Sequence, residues 1–434
     1  MKIFFVSMGC AKNTADSEHL IAQLEFCGHE ISDVPENCEI GIINTCGFIQ
    51  DSVKENIDAI LDLEKLKSDG VIKKFIVAGC LVNRYENELK KEFPTADLFV
   101  RSEEWEKVIK FLNGDYNQNC KNTPTPINKN FWTRYLKISE GCDTLCSYCA
   151  IPLIRGRLRS VKLNTLIDEA LMLCSAGAKE ICLVGQDLTV YGKDFNDGTN
   201  LKTLIHELNR ELPKDTWIRL LYLHPERVNE ELIDFILEHE KVLHYLDIPI
   251  QHSEPEILAK MNRPTREGHM RKIFNYIREK DPLFCLRTTI MTGFPGETKE
   301  NFNNLIDFIS DVEFDRLGAF IFSPEEGTKA AEFENRIPER TAESRYITLM
   351  DIQAQISDER SGLFIDENLD VLIEDIDYES NEAWGRSFRD APEVDGVVNI
   401  SRVDTKKIKN GDVIKVKILD CEENDLFGDF VDVK

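Results

Sequence analysis

"SEGCDTLCSYCAIP", residues 139–152, places Cys142, Cys146 and Cys149 within eight positions and offers no fourth ligand nearby. A structural zinc site wants four closed ligands, usually as paired C-x2-C or Cys/His knuckles, and no second knuckle or neighbouring His completes the set. Three thiolates suit a 4Fe-4S cluster in which one iron lacks a protein ligand and can bind a molecule that reacts. A catalytic zinc held by three cysteines, and three unrelated buried thiols, are the competing readings. The cluster of cysteines follows directly on a strand-like run, and that placement opens the fold of the rest of the chain.

That run, "YLKISEG", is the first of six strand candidates. "EICLVGQ", "WIRLLYL", "YLDIPIQ", "LRTTIMTGF" and "LGAFIFS" follow in order, separated by helical patterns such as "LNTLIDEALMLCSAGA" and "RKIFNYIREK". Six βα units without a closing pair predict an open (β/α)6 partial TIM barrel, whose chemistry is built at the carboxyl ends of its strands. Polar or conformationally special residues stand there: Cys142, Gln186 and Asp187, His224, Gln251 and His252, Gly293 to Gly296, and Ser323. A satisfied structural histidine is the plainer reading of His224 and His252. For "GFPGET", close backbone approach to a ligand at Gly293 and Gly296 competes with a simple strand-to-helix loop carrying Glu297 in the first helical turn.

Upstream, residues 1–125 also alternate strand-like and helix-like stretches, with spacing that suits βα units and predicts a doubly wound parallel sheet. Three apolar runs, "IFFVSMGC", "GIINTC" and "FIVAGC", each close on a cysteine: Cys10, Cys46 and Cys80. Between them "SEHLIAQLEFCGHE" reads as a helix stopped by Gly28, and "DSVKENIDAILDLEKL" as one capped by Asp51 and Ser52. Ligands of such sheets sit outside the carboxyl ends of the strands, so all three cysteines should face one site. Buried core thiols are the alternative, since cysteine is common in strand interiors. The stretch "KNTPTPINKN", with two prolines and no hydrophobic period, reads as a linker. Residues 126–360 then form the barrel segment, and residues 361–434 change to five short strands with turns, a small all-β OB-like barrel.

The 434 residues suffice for about two to four domains. With 42% hydrophobic and 30% charged residues the chain has a globular balance, which excludes disordered and fibrous classes. No apolar run is long enough to span a bilayer. In "MKIFFVSMGC" the apolar run is shorter than a signal core and polar residues follow at once, so it reads as a buried first strand; the expected location is cytoplasmic, with no membrane partner. Thirteen cysteines in such a chain do not make a disulfide framework, and metal binding or catalysis must explain some of them. The formal charge of -25 repels a nucleic-acid backbone and favours a basic partner. Residues 361–434 alone hold 19 acidic and 9 basic residues.

"CDTLCSYC" resembles the C-x3-C-x2-C motif of the radical S-adenosylmethionine (SAM) superfamily. That resemblance implies that Cys142, Cys146 and Cys149 hold a 4Fe-4S cluster whose free iron binds S-adenosyl-L-methionine, and that SAM is cleaved to a deoxyadenosyl radical able to abstract hydrogen from unactivated carbon. It also implies SAM contacts at Gly185, Gln186 and Asp187, where the superfamily binds the amino-acid part; a plain turn is the alternative for Gly185. "GCAKNTADSE", "INTCGFI" and "VAGCLVNRY" resemble the three cysteine motifs of the methylthiotransferase family. There the implied ligands Cys10, Cys46 and Cys80 hold a second, auxiliary 4Fe-4S cluster implicated in supplying the inserted sulfur.

Within that family, "EGCDTLCSYCAIPLIRGRLRS", "LVGQDLTVYGKD", "YLDIPIQHSEPEILAKMNRP", "GFPGET", "FSPEEGT" and "GRSFRDAPEVDG" resemble the branch that methylthiolates an aspartate of ribosomal protein uS12 more than the tRNA-modifying branch. The likeness covers nearly the whole chain in the same domain order; it departs at "IRGRLRSVKL", where an Arg-Pro pair would be expected after Ser160. It implies two SAM molecules per turnover, removal of a β-hydrogen and a 3-methylthioaspartate product. The implied partners are uS12, a sulfur donor and a low-potential electron donor of the flavodoxin type. The C-terminal domain would be a TRAM domain, which serves tRNA binding in relatives through Lys and Arg. Here it is acidic, so tRNA is not expected, unless a local basic groove around Arg155, Arg157 and Arg159 overrides the net charge. A noncatalytic iron-sulfur or zinc protein is the remaining reading, and Cys27, Cys38, Cys120, Cys174, Cys182, Cys285 and Cys421 read as ordinary thiols.

Overall fold

A computed structural model describes residues 1–114, 124, 132–263, 265 and 268–431. The expected linker at 121–130, apart from Pro124, and Cys120 lie outside the described residues. The chain gathers into two compact units: Met1–Val161 with Val184–Gln186 and Ser323–Ala331, and Lys162–Leu183 with Asp187–Phe322 and Glu332–Lys434.

In the first unit β1 (Lys2–Ser7), β2 (Glu30–Ser32), β3 (Ile40–Thr45), β4 (Lys74–Gly79) and β5 (Leu98–Val100) form a parallel sheet in the order β2-β1-β3-β4-β5. This is a doubly wound order, and the direction of winding reverses between β1 and β3. Every residue of β3 is buried, because helices cover both faces of a parallel sheet and no polar alternation is needed. Helices α1 (Ala11–Phe26), α2 (Gln50–Ser68), α3 (Cys80–Glu92) and α4 (Glu106–Asn113) connect the strands. Leu20, Ile21 and Leu24 of α1 pack with Ile3, Phe5 and Ile42 in one core layer. Ile60 and Leu63 of α2 pack with Ile43, Phe75 and Val77 in the other.

The stop at Gly28 holds, with Cys27 as C-cap and Gly28 at φ +81°. The expected caps of α2 do not. That helix starts at Gln50, with Ile49 as N-cap and Asp51 already in its first turn. The backbone N–H of Gln50 is instead satisfied by Glu325 Oε1 at 3.1 Å, a partner 275 residues away. The unit is completed by β6 (Thr133–Lys137) and by an antiparallel pair, β7 (Ser139–Glu140) with β8 (Arg159–Ser160), that brackets the Cys142–Cys149 loop and the short helix α5 (Ile151–Arg155).

The second sheet contains all six expected strands in the order β13-β12-β11-β10-β9-β6, with β9 (Glu180–Val184), β10 (Trp217–Leu220), β11 (Val242–Asp247), β12 (Cys285–Thr292) and β13 (Arg316–Ile321). β9 to β13 pair in parallel, and the sheet is open, with β13 and β6 as its edges. The five C-terminal strands also form as expected. β14 (Asn368–Asp377), β15 (Glu382–Arg386), β16 (Val398–Ser401), β17 (Val413–Glu422) and β18 (Asp425–Phe430) close into a barrel ordered β14-β15-β16-β18-β17. Its core is Leu369, Val371, Ile373, Val398, Ile400, Val416, Ile418 and Leu426.

The segment between β15 and β16, which carries "GRSFRDAPEVDG", packs against the starts of the parallel strands. Glu180, the first residue of β9, meets Arg219 Nε at 2.6 Å and Arg386 Nη2 at 2.7 Å. Arg219 Nη1 donates to Phe388 O at 2.7 Å, Tyr245 Oη to Asp395 Oδ2 at 2.7 Å, and Arg316 Nη2 to Asp390 Oδ1 at 2.7 Å. Burial alone would raise the Glu180 carboxyl, but Arg386 and Arg219 hold it down to about 2. The motif therefore builds the floor of the parallel sheet, at the end opposite to the carboxyl ends where chemistry is built. No described helix is long and apolar enough to cross a membrane.

Candidate functional site

Cys10, Cys46 and Cys80 follow β1, β3 and β4 as the sequence predicts. Cys10 caps α1, Cys46 comes directly after β3, and Cys80 opens α3. Cys46 and Cys80 are buried; Cys10 is partly exposed. Gly9 permits their closeness: it sits at φ +99°, and a Cβ there would stand 2.7 Å from Cys46 Cβ and 3.2 Å from Cys46 Sγ. One turn into α1, Asn13 ties the three loops together. Its Nδ2 donates to Met8 O and Thr45 O, each at 3.0 Å, and its Oδ1 accepts from Cys80 Sγ at 3.5 Å. The Cys46 N–H donates to Asn56 Oδ1 at 2.9 Å.

Cys142, Cys146 and Cys149 lie on the loop that β7 and β8 bracket. Cys142 N–H donates to Gly156 O at 3.1 Å, Cys149 N–H to Cys146 O at 3.1 Å, and Thr144 N–H reaches Cys142 Sγ at 3.4 Å. Ala150, next to Cys149, packs with Cys80 and Ile154 in one buried cluster, so the two cysteine triads are neighbours within the first unit. The loop Ser323–Ala331 packs beside both. Ala330 N–H donates to Ser147 O at 2.8 Å, and Glu325 pairs with Arg84 at 2.9 Å, whose Nη1 also reaches Gly47 O beside Cys46 at 3.0 Å.

Between the triads lies a buried polar network. Arg155 Nε donates to Cys80 Sγ at 3.1 Å, Nη1 to Asp16 Oδ2 at 2.9 Å and Glu140 Oε2 at 3.0 Å, and Nη2 to Asn13 Oδ1 at 2.6 Å. Lys137 joins Asp16 and, at 2.9 Å, Glu140. Arg155 is 5% exposed, which removes it from the surface groove the sequence had left open; Arg157 does face solvent and pairs with Asp143 at 3.3 Å. Burial opposes ionisation of Glu140, yet Lys137 and Arg155 hold its carboxyl down to about 2. Burial pushes the Cys80 thiol up to about 12 despite Arg155. At Cys10 burial is outweighed by Lys12, by the Asn13 and Lys12 backbone N–H groups and by Arg155, so that thiol lies below its ordinary value. A helix N-terminus favours a thiolate in the same way.

Among the described residues no three His, Cys, Asp or Glu side chains close around one point as a single metal ion needs. In a cubane cluster each thiolate binds a different iron, and a set of three thiols suits iron-sulfur chemistry by donor softness. The residues present fit such a group, with N–H donors toward sulfur already in place at Cys80 and Cys142.

The remaining predicted residues divide between the units. Gly185 O accepts from Lys12 Nζ at 3.4 Å and Gln186 Nε2 donates to Glu140 Oε1 at 3.1 Å, which brings both beside the cysteines; Gln186 Oε1 is buried with no hydrogen-bond partner among the described residues. In the second unit, Asp187 accepts from the Thr189 N–H at 2.9 Å and pairs with Arg227. Gly293 and Gly296 approach the protein itself: Cβ atoms there would meet Ala342 Cβ at 2.5 Å and Lys260 Nζ at 2.6 Å. Glu297 accepts from the Gly293 and Phe294 N–H groups and pairs with Arg345 at 3.0 Å. His224 and His252 each accept backbone N–H at Nδ1. Asn13, Asp16, Lys137 and Glu140 are not marked by the sequence, and Arg155 is marked there only as part of a surface groove. The signal that could have found them is the polar set Asn13, Asp16 and Ser17, at helical spacing on a helix face that has to be buried.

Residues 2–101 match the uncharacterized protein family UPF0004, residues 136–309 the radical SAM superfamily and residues 365–431 the TRAM domain. The chain is 39% identical to the ribosomal protein uS12 methylthiotransferase RimO of Geobacter sulfurreducens, over 99% of this chain and 98% of that protein. It is 41% identical to RimO of Aquifex aeolicus, over 99% and 97%. Among solved structures, the radical SAM methyltransferase TsrM from Kitasatospora setae superposes with a TM-score of 0.55 over 73% of this chain and 72% of that one; at 14% identity this is a likeness of fold. The radical SAM assignment implies a 4Fe-4S cluster and SAM. From the cysteine pattern, the three segments and their likeness along the full chain, it follows that this protein belongs to the RimO methylthiotransferases, a family of radical SAM enzymes.

Proposed function

We propose that the enzyme inserts sulfur and a methyl group at the β-carbon of an aspartate in ribosomal protein uS12, giving 3-methylthioaspartate. The observation that carries this reading is the gathering of both cysteine triads in one compact unit, with Cys80 packed on Ala150 beside Cys149. Identity of about two in five residues along the whole length of proteins named for uS12 supports the substrate. So does the acidic charge of the chain against a basic ribosomal protein. We assign Cys142, Cys146 and Cys149 to the SAM-binding 4Fe-4S cluster and Cys10, Cys46 and Cys80 to an auxiliary 4Fe-4S cluster. Gly185, Gln186, Asp187, Gly293 and Gly296 are assigned to SAM, and the division of labour follows residues 1–125, 126–360 and 361–434.

With these groups bound, the site supplies a carbon radical strong enough to take hydrogen from an unactivated C–H bond, and sulfur to place there. The chain's own contribution is to hold and shield. Asn13 fixes the three loops of the first triad, Ala150 and Ile154 keep water from Cys80, and Glu140 orients Gln186. The reading places the enzyme in the cytoplasm, served by a flavodoxin-type electron donor and a separate sulfur donor.

The test is anaerobic: reconstitute iron and sulfide, add SAM and a low-potential reductant, offer uS12 and bulk tRNA together, and analyse both by mass spectrometry. A methylthio group on one aspartate of uS12 is the expected result. The same group on a tRNA nucleoside would overturn the choice of substrate.

A further inference from the structure

We propose that Arg155 is a positioning residue for the Cys80 sulfur and raises the reduction potential of the iron-sulfur group assigned to Cys10, Cys46 and Cys80. The proposal rests on that ligand assignment. A guanidinium is planar and presents its five N–H groups in a rigid fork. Three acceptors fix the fork of Arg155 on its far side: Asp16 and Glu140 at Nη1, and Asn13 at Nη2. With those set, the single Nε–H has one direction left, and in that direction it meets Cys80 Sγ at 3.1 Å.

The surrounding charges explain why a cation can remain there. Arg155 and Lys137 face two carboxylates, Asp16 and Glu140, so the four formal charges cancel before the sulfur carries any. Negative charge arriving at Cys80 is then met by an N–H that is already aimed and is shielded from solvent. Reduction adds such charge to an iron-sulfur group and its thiolates. Hydrogen bonds to sulfur and a nearby cation stabilise the reduced form, and so move the potential upward. Lysine cannot reproduce this, because an ammonium is a point charge without the fork.

The experiment uses full-length protein carrying Cys142→Ala, Cys146→Ala and Cys149→Ala, which leaves one cysteine triad, reconstituted anaerobically. Iron and sulfide are counted, and the midpoint potential is read by redox titration with paramagnetic resonance. Arg155→Met is expected to keep the iron and shift the midpoint to more negative potential, with Arg155→Lys between it and the parent. Lys137→Met, which removes a cation of the same network that does not touch Cys80, is expected to shift it less. If Arg155→Met binds no iron, Arg155→Lys carries the comparison and must still shift downward. An unchanged midpoint in the Arg155 variants, or an equal shift in Lys137→Met, overturns the role given to Arg155. A parent that takes up no iron overturns the ligand assignment itself, an outcome distinct from the other two.

Discussion

Replacing Glu180 by Gln tests how the floor of the parallel sheet is held. The carboxyl lies at about 2 in the folded protein against an ordinary 4.5. At about 1.4 kcal/mol per pH unit, its charged form is favoured by about 3 kcal/mol net, the two arginines outweighing the cost of burial. Glu180 and Arg219 are 0% exposed, so solvent does not screen the interaction. A separate estimate, about 3–5 kcal/mol for leaving one partner of a buried ion pair uncompensated, agrees in size. The folded carboxyl is more acidic than the unfolded one, so its contribution is present above about pH 4.5 and is lost as the pH falls toward 2. Glu180→Gln should therefore be about 3 kcal/mol less stable at pH 7, and the deficit should shrink by about 1 kcal/mol at pH 4. Urea unfolding of cluster-free protein, followed by tryptophan fluorescence, reads this directly, because Trp217 and Trp384 belong to the same compact unit as Glu180. A variant within 1 kcal/mol of the parent at pH 7, or a deficit equal at pH 7 and pH 4, would refute the reasoning.

Cys142→Ala should abolish deoxyadenosine formation, whereas Cys46→Ala should retain part of it and lose sulfur insertion; equal loss of both activities would contradict separate roles for the triads. Arg84→Ala removes the partner of the buried Glu325, an uncompensated charge worth about 3 kcal/mol. Hydrogen exchange should accelerate at Ala330, whose N–H otherwise rests on Ser147 O, and unchanged protection there would show that the pair does not hold the loop. Binding of uS12 should weaken several-fold between 0.05 M and roughly 1 M salt, where the screening length falls to about 3 Å. Affinity that does not respond to salt would remove charge from the account of the partner.

What could be read in advance was whatever local pattern decides. The runs that end in Cys10, Cys46 and Cys80 are apolar because a parallel sheet is covered on both faces, and each cysteine follows its strand in the folded chain. The six strand candidates of the barrel segment and the five of the last segment announce themselves by apolar runs between turn residues. The polar partnerships were hidden, because they join residues far apart in the chain. Nothing around Ile49 reveals that the first N–H of α2 is taken by Glu325, so Asp51 and Ser52 looked like the natural caps. Arg155 stands in a basic stretch, "IRGRLRS", that suggests a surface; only the fold shows Asp16, Glu140 and Asn13 waiting for it. "GRSFRDAPEVDG" marked the family, yet its work in packing becomes visible only when Glu180, Arg219 and Arg316 arrive from three different strands.

The first unit is assembled from distant pieces, and its last piece, Ser323–Ala331, is made late. At about 5–20 residues per second, a ribosome that has just added Cys149 needs roughly 9–36 s more to reach Ala331. During that interval both triads are already in existence, while Glu325 has not yet reached Arg84 and Ala330 has not yet reached Ser147. The thiols are thus least protected in the newborn chain, before that last piece has packed beside them. A slow-growing or stalled nascent chain is therefore the form of this protein whose thiols are most open to oxidation.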